Sequence, residues 1–319
     1  MASTGPDVEA AAIIAVREPR TRQLWAGKWR ERSPNVLLFG PILAVLVALF
    51  LIPLAQSIYY GFTDFNGYST TATFVGLKNY VDVFADPSLR AALFFTVLYT
   101  VATVVLVTLV AIPLAVVLNR KFGGRNFVRA MFFFPAIPSV AILGLVWTFI
   151  LSSLGSGMVN SLLHTLFGLA PVPWLSNVLL ARMSVILVAV WAQAGWHAVL
   201  YLAYLQSIPA DYYEAARVDG ASPSRQFFHI TLPLLMPAMI VSQILLTTAG
   251  LKVYDLPFTL TKGGPGYATY TITQGILQNG LTLGRVGQAS ALSVVFMLFV
   301  IVVIVAQMVL SRRAEGRVL

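Results

Sequence analysis

The sequence predicts an all-α membrane protein with six transmembrane helices and both termini in the cytoplasm. Three observations lead there. At 319 residues, 58% hydrophobic and 10% charged, the chain is too apolar for a soluble domain of its size. Six apolar segments, at 36–60, 92–118, 128–152, 178–204, 232–251 and 286–310, each come near the ~20 residues that cross a bilayer core as a helix. Fifteen of the 21 Lys and Arg residues then fall on one side of the resulting topology, the cytoplasmic side by the positive-inside rule.

Residues 1–35 precede the first span. A short apolar run at 10–16 has Asp7 and Glu9 before it and arginines after it, the reverse polarity of a secretory signal. Arg17, Arg20, Arg22, Lys28, Arg30 and Arg32 make the segment basic. Trp25 and Trp29 share a helical face beside Leu24, which suits a short helix on the inner membrane surface. Within the spans, Pro41, Pro53, Pro113, Pro135 and Pro138 remove backbone donors. Such breaks persist in lipid where neighbours satisfy the freed groups.

The inner connections hold Arg120, Lys121, Arg125 and Arg129, then Arg217 and Arg225, then Arg312, Arg313 and Arg317 in the tail. The outer side holds Lys78, Arg90, Arg182, Lys252, Lys262 and Arg285. The net charge of +9 thus reflects topology and contact with anionic lipid, and needs no nucleic acid. There is no cysteine, hence no disulfide framework and no thiolate chemistry. His164, His197 and His229 are scattered and do not form a metal constellation.

Between the fourth and fifth spans lies a polar, turn-rich stretch. Residues 211–219 are a helix candidate, with Tyr212, Ala215, Ala216 and Val218 as an uneven apolar face. Gly220 and Ala221 break it, and glycine there suits a C-terminal cap at positive φ. Ser222 as N-cap and Pro223 as first helical residue restart it. Phe227, Phe228 and Ile230 follow before the chain re-enters lipid at Leu232 and Pro233. The result is a helix–Gly–helix of about 20 residues, too short and polar to span.

This arrangement resembles the EAA loop in permease subunits of binding-protein-dependent ABC importers. The family pattern falls on Glu214, Ala215, Ala216, Gly220, Ile230, Leu232 and Pro233, while Asp219, Ala221, Phe227 and Pro237 fit the sugar-importing branch. FVGLKNY at 74–80, LTKGGP at 260–265 and GQASALS at 287–293 also resemble the carbohydrate branch, of the maltose and glycerol-phosphate type. The likeness covers most of the chain from about residue 36. The chain has only the six-helix core, without the extra N-terminal helices and large outer insertion of the maltose permease subunit, so maltose itself does not carry over.

The resemblance implies a type I ABC importer permease fold. The expected domains are a basic segment at 1–35, a six-helix domain at 36–310 with its coupling loop at 211–233, and a tail at 311–319. Glu214, Ala215, Ala216, Asp219, Gly220, Ala221, Ser222 and Phe227 are the expected ATPase-coupling residues. The implied partners are a second, paralogous permease, two ATPase subunits and an extracytoplasmic solute-binding protein, in a bacterial inner membrane. The expected solute is a sugar or a sugar-like molecule. No GK[ST] loop is present, so no cofactor is expected on this chain; ATP and Mg belong to the ATPase subunits.

The acids weigh the rival classes. None of the twelve lies inside the six segments, and Asp255 sits just beyond the fifth. An ion-coupled secondary transporter or an intramembrane hydrolase needs titratable groups there. Sugars need only aromatic faces, amides and hydroxyls. Gln193, Trp196, Tyr201, Tyr254 and Asp255 are therefore the substrate-path candidates, with Trp147 and Trp191 weaker. Helix packing and interfacial anchoring are the competing explanation for each. His197, near Gln193 and Trp196, is expected as a packed, hydrogen-bonded side chain.

Overall fold

The computed structural model describes residues 39–153 and 157–315. The surface helix expected around Trp25 and Trp29 lies outside them. Two compact units divide the chain, residues 1–56 and 57–319. Most of the first span, Phe39–Tyr60, belongs to the first unit. It contains a π-helical turn, Val47–Leu51, just ahead of Pro53. In a regular helix the Pro53 ring would crowd the Leu49 carbonyl and offer it no donor; a wider turn relieves both problems.

In the second unit the second span is one helix, Pro87–Asn119, passing through Pro113 unbroken. It starts five residues before the apolar run because Asp86 caps it and Pro87 is preset at its first position: the Asp86 carboxylate accepts from Ser88 N (2.8 Å) and Ser88 Oγ (2.7 Å). The fourth span, Val178–Leu205, begins at Asn177, whose side chain accepts from Leu179 N and Leu180 N. The sixth, Val286–Arg313, is also continuous.

The third and fifth spans are bent. Arg125–Ala136 and Val140–Ile150 meet at 92° around Pro135 and Pro138. Pro223–Leu234 and Met236–Leu251 meet at 64°, where Pro237 denies a donor to the turn before it. The six expected spans are thus present as four straight helices and two bent pairs.

The core lies chiefly between the second and fourth spans. Phe95, Tyr99, Val107 and Leu118 pack against Val185, Ala189, Tyr201 and Leu205, with Leu235 and Leu246 of the fifth span closing the cluster. Close approach relies on small residues. A Cβ at Gly195 would collide with the Phe132 carbonyl beside the third-span bend. Buried threonines are satisfied locally: the hydroxyls of Thr100, Thr103 and Thr108 donate to the carbonyls of Thr96, Tyr99 and Val104, each at 2.7 Å.

The segments at the end opposite the 206–222 connection hold more structure than their composition suggested. Lys78–Ala85, Met158–Phe167, Asp255–Thr261 and Ile272–Leu277 are short helices. His164 is inside one of them. That loop is closed by Asn160, which is 2% exposed. It donates to the Ser152 and Val172 carbonyls and accepts from Val172 N and Trp174 Nε1. Four bonds through one amide, to residues 8 to 14 positions away, were not visible in local periodicity.

Candidate functional site

The polar connection after the fourth span forms a projecting elbow. Its first arm is the helix Ala210–Val218, one residue ahead of the expected 211–219. Asp211 in its first turn and Arg217 in its last complement the helix dipole. The arm ends in a Schellman cap: Gly220 has φ +75°, Ala221 N donates to the Ala216 carbonyl at 2.8 Å, and Gly220 N to the Arg217 carbonyl at 3.1 Å. Ser222 then caps the second arm, its Oγ accepting from Arg225 N at 3.4 Å, with Pro223 as the first helical residue.

Two contacts fasten the arms together. Gln226 Nε2 donates to the Ala221 carbonyl at 2.9 Å, across the corner. The hydroxyls of Tyr213 and Thr231 lie 3.1 Å apart, joining the first arm to the root of the second. Phe227–Thr231 forms a π-helical turn, and the helix continues through Leu232–Leu234 to the bend of the fifth span. No loop separates the elbow from the membrane helix it leads into.

The eight candidate coupling residues divide by burial. Glu214, Ala215, Asp219, Gly220 and Ser222 are exposed, whereas Ala216, Ala221 and Phe227 are half-buried. Phe227 packs against the main core. Glu214 pairs loosely with Arg217 at 3.8 Å, both side chains about two-thirds exposed (66% and 65%). Behind the elbow a cavity of about 320 Å³ is lined by Asn119 and Arg120 from the end of the second span, together with Tyr213 and Thr231. Arg129 reaches back to donate to the Leu118 carbonyl at 2.7 Å, tying the third span to the same helix end.

The substrate-path candidates do not converge on one pocket. Gln193 is half-buried and donates to the carbonyl of Ala189 in its own helix at 3.3 Å. Trp196 is 39% exposed and sits edge-on to His197, which shares a 2.8 Å hydrogen bond with Ser242 of the fifth span. Tyr201 is fully buried in the core. Tyr254 stacks on Phe258, and Asp255 is exposed at the start of its short helix.

Residues 88–316 match a family described as "Binding-protein-dependent transport system inner membrane component". The chain belongs to this family. It is a multi-pass inner-membrane permease, a transporter subunit with no enzymatic role of its own. It works in an ABC import complex with a periplasmic binding protein and the other transporter components.

Curated relatives agree. The permease is 33% identical, over 88% of its length and 94% of the relative's, to "Probable starch degradation products transport system permease protein AmyD" of Thermoanaerobacterium thermosulfurigenes. It is 34% identical, over 86% and 92%, to "Trehalose/maltose transport system permease protein MalF" of Thermococcus litoralis. Its fold is similar to that of a chain in "Crystal structure of bacterial alginate ABC transporter in complex with alginate pentasaccharide-bound periplasmic protein". That match has a TM-score of 0.77 and 25% identity, and covers 90% of this permease and 98% of that chain.

A cavity of about 650 Å³ lies between the second, fifth and sixth spans of the permease. Thr100, Gln243, Thr247, Gln307 and Ser311 are its polar contributions in a mainly apolar wall, and none of the five path candidates lines it. Gln243 and Gln307 are amides inside apolar spans, a signal available in the sequence but outweighed there by the aromatic residues.

Proposed function

We propose that the permease passes a sugar or sugar-like solute across the membrane, driven by ATP hydrolysis on partner subunits that engage the 211–233 elbow. The carrying observation is the elbow's continuity with the fifth span: the Schellman cap and the two fastening contacts make it stiff, and its second arm is the start of a membrane helix. A displacement of the tip by a closing ATPase pair is therefore delivered to the bundle as rigid-body motion, the basis of alternating access. The exposed Glu214, Ala215, Asp219, Gly220 and Ser222 are the contact surface; Ala216, Ala221 and Phe227 hold its shape.

The solute class rests on two supports. The similar permeases named above are described as transporting starch degradation products and trehalose/maltose. None of the six spans contains an Asp or Glu, so coupling to protons or cations has no carboxylate to use there. The full assembly in this reading is a heterodimer with a paralogous permease, two ATPase subunits, and a binding protein at the end remote from the elbow. Gln193, Trp196, Tyr254 and Asp255 remain path candidates; Tyr201 supports the path from within the core.

The test is uptake of radiolabelled sugars by the purified complex in proteoliposomes. Uptake should require ATP on the elbow side and persist when the proton gradient is collapsed. Uptake that follows an ion gradient, without ATP, would overturn the reading.

A further inference from the structure

The end of the bundle remote from the elbow carries a second polar cavity, of about 320 Å³, at the small end of the ~300–1,000 Å³ typical of small-molecule sites. The second span locates it. One end of that helix lines the cavity behind the elbow through Asn119; the other begins at Asp86 and Pro87, which line this one. Ser88, Tyr267, Tyr270, Gln278, Asn279 and Arg285 complete the polar wall.

The wall holds unused hydrogen-bonding capacity of both kinds. Asp86 spends Oδ1 on Ser88, and its other oxygen has no partner among the described residues. The Arg285 guanidinium has neither an ion-pair nor a hydrogen-bond partner among them. Tyr270 is buried and donates to Gln278 Oε1 at 2.7 Å, which leaves the Gln278 amide nitrogen as a donor toward the cavity. Burial first, then the neighbouring Tyr267 and Asp86, push the Tyr270 hydroxyl up to about 12, so it stays a neutral donor.

Tyr267 supplies an aromatic face. It is 53% exposed and sits edge-on to Tyr270, with ring centroids 5.4 Å apart. Its φ of +65° is one that bulky residues rarely adopt, and such outliers concentrate at ligand sites. The loop that presents it is held from several sides. Arg182 Nε donates to the Ala268 carbonyl at 2.9 Å, Thr269 bridges to Thr261 and to the Gly264 carbonyl, and Gln274 reaches the Lys262 carbonyl. The ring is thus displayed on a fixed frame.

We infer that this cavity is an entry subsite that takes one ring of a neutral saccharide as it passes from the binding protein to the membrane path. A half-exposed aromatic face, an unpaired carboxylate oxygen and unpaired guanidinium and amide donors together match the hydroxyls and apolar face of a sugar ring. Asp86 and Arg285 offset each other's charge on this wall, which favours neither an anion nor a cation. The inference rests on the sugar reading above and adds a residue set to it.

The experiment uses the whole complex in proteoliposomes, with radiolabelled maltose, trehalose, maltotriose and arabinotriose as probes and the binding protein titrated. Tyr267→Asn removes the ring but keeps a residue that tolerates positive φ; Tyr267→Phe keeps the ring. Tyr267→Asn should lower the maximal uptake rate about tenfold, the effect of losing one good aromatic contact, with the KM for loaded binding protein within twofold. Tyr267→Phe should keep at least half the wild-type rate. A wild-type rate in Tyr267→Asn overturns the subsite and leaves the sugar reading standing. A raised KM at unchanged maximal rate marks Tyr267 as a contact for the binding protein and also overturns it. Uptake of none of the four sugars by the wild-type complex removes the sugar reading, and the subsite with it.

Discussion

Replacing Gly220 with Val tests the elbow at its corner. No atom lies within 4 Å of where a Cβ would stand, so the substitution clashes with nothing in the permease itself. Its cost is conformational. If the chain keeps φ near +75°, a side chain with a Cβ costs roughly 1–2 kcal/mol, with a β-branched residue at the unfavourable end. If the corner unwinds instead, it loses the two Schellman bonds to Ala216 and Arg217, worth about 0.5–1.5 kcal/mol each. Either route costs about 2 kcal/mol, roughly a thirtyfold shift away from the docking geometry. Solute-stimulated ATP hydrolysis should therefore fall about thirtyfold, with less ATPase co-purifying at matched membrane expression. Insertion should be normal, because Gly220 is exposed and outside all six spans. Gly220→Asn, which tolerates the left-handed region, should keep most of the coupling. Wild-type coupling in Gly220→Val would refute the role given to the corner.

Three further outcomes follow from the same structure. Glu214→Ala should weaken ATPase association far less than Gly220→Val, because its pair with Arg217 is exposed and long, worth at most about 0.5 kcal/mol; co-purification of the two variants side by side checks the order. Gly195→Ala forces the fourth span off the Phe132 carbonyl and should cost about 3 kcal/mol, the upper end of overpacking, seen as a lower melting temperature of the purified complex. In this cysteine-free chain, a cysteine at Ser69 should react with an impermeant thiol reagent in intact cells and one at Ser224 should not; labelling at Ser224 would contradict the topology.

Much of the elbow was legible because its determinants are local. A C-terminal cap needs one residue at positive φ, and an N-cap needs one hydroxyl ahead of a proline. Gly220, Ser222 and Pro223 therefore announce the corner within four residues. Which of the eight expected coupling residues are exposed was not legible. Phe227 is covered by the main core, and Tyr213 meets Thr231, 18 residues on; neither contact is written in the local pattern.

The class of the protein, the number of spans and their order are written in the amino-acid sequence. Each span reports its own transfer from water to lipid, residue by residue, and needs no partner to do so. The tertiary structure alone decided where the spans bend. Pro113 sits inside an unbroken helix, while Pro135, Pro138 and Pro237 stand at turns of 92° and 64°. A proline removes one donor wherever it occurs; whether the helix then breaks depends on what neighbouring helices offer in return. The same holds for Tyr201, fully buried, beside Trp196, which is not, and for the remote polar cavity. Asp86 and Arg285 are almost 200 positions apart in the chain, and only the packing of the second and sixth spans around Ile272–Leu277 puts them on one wall.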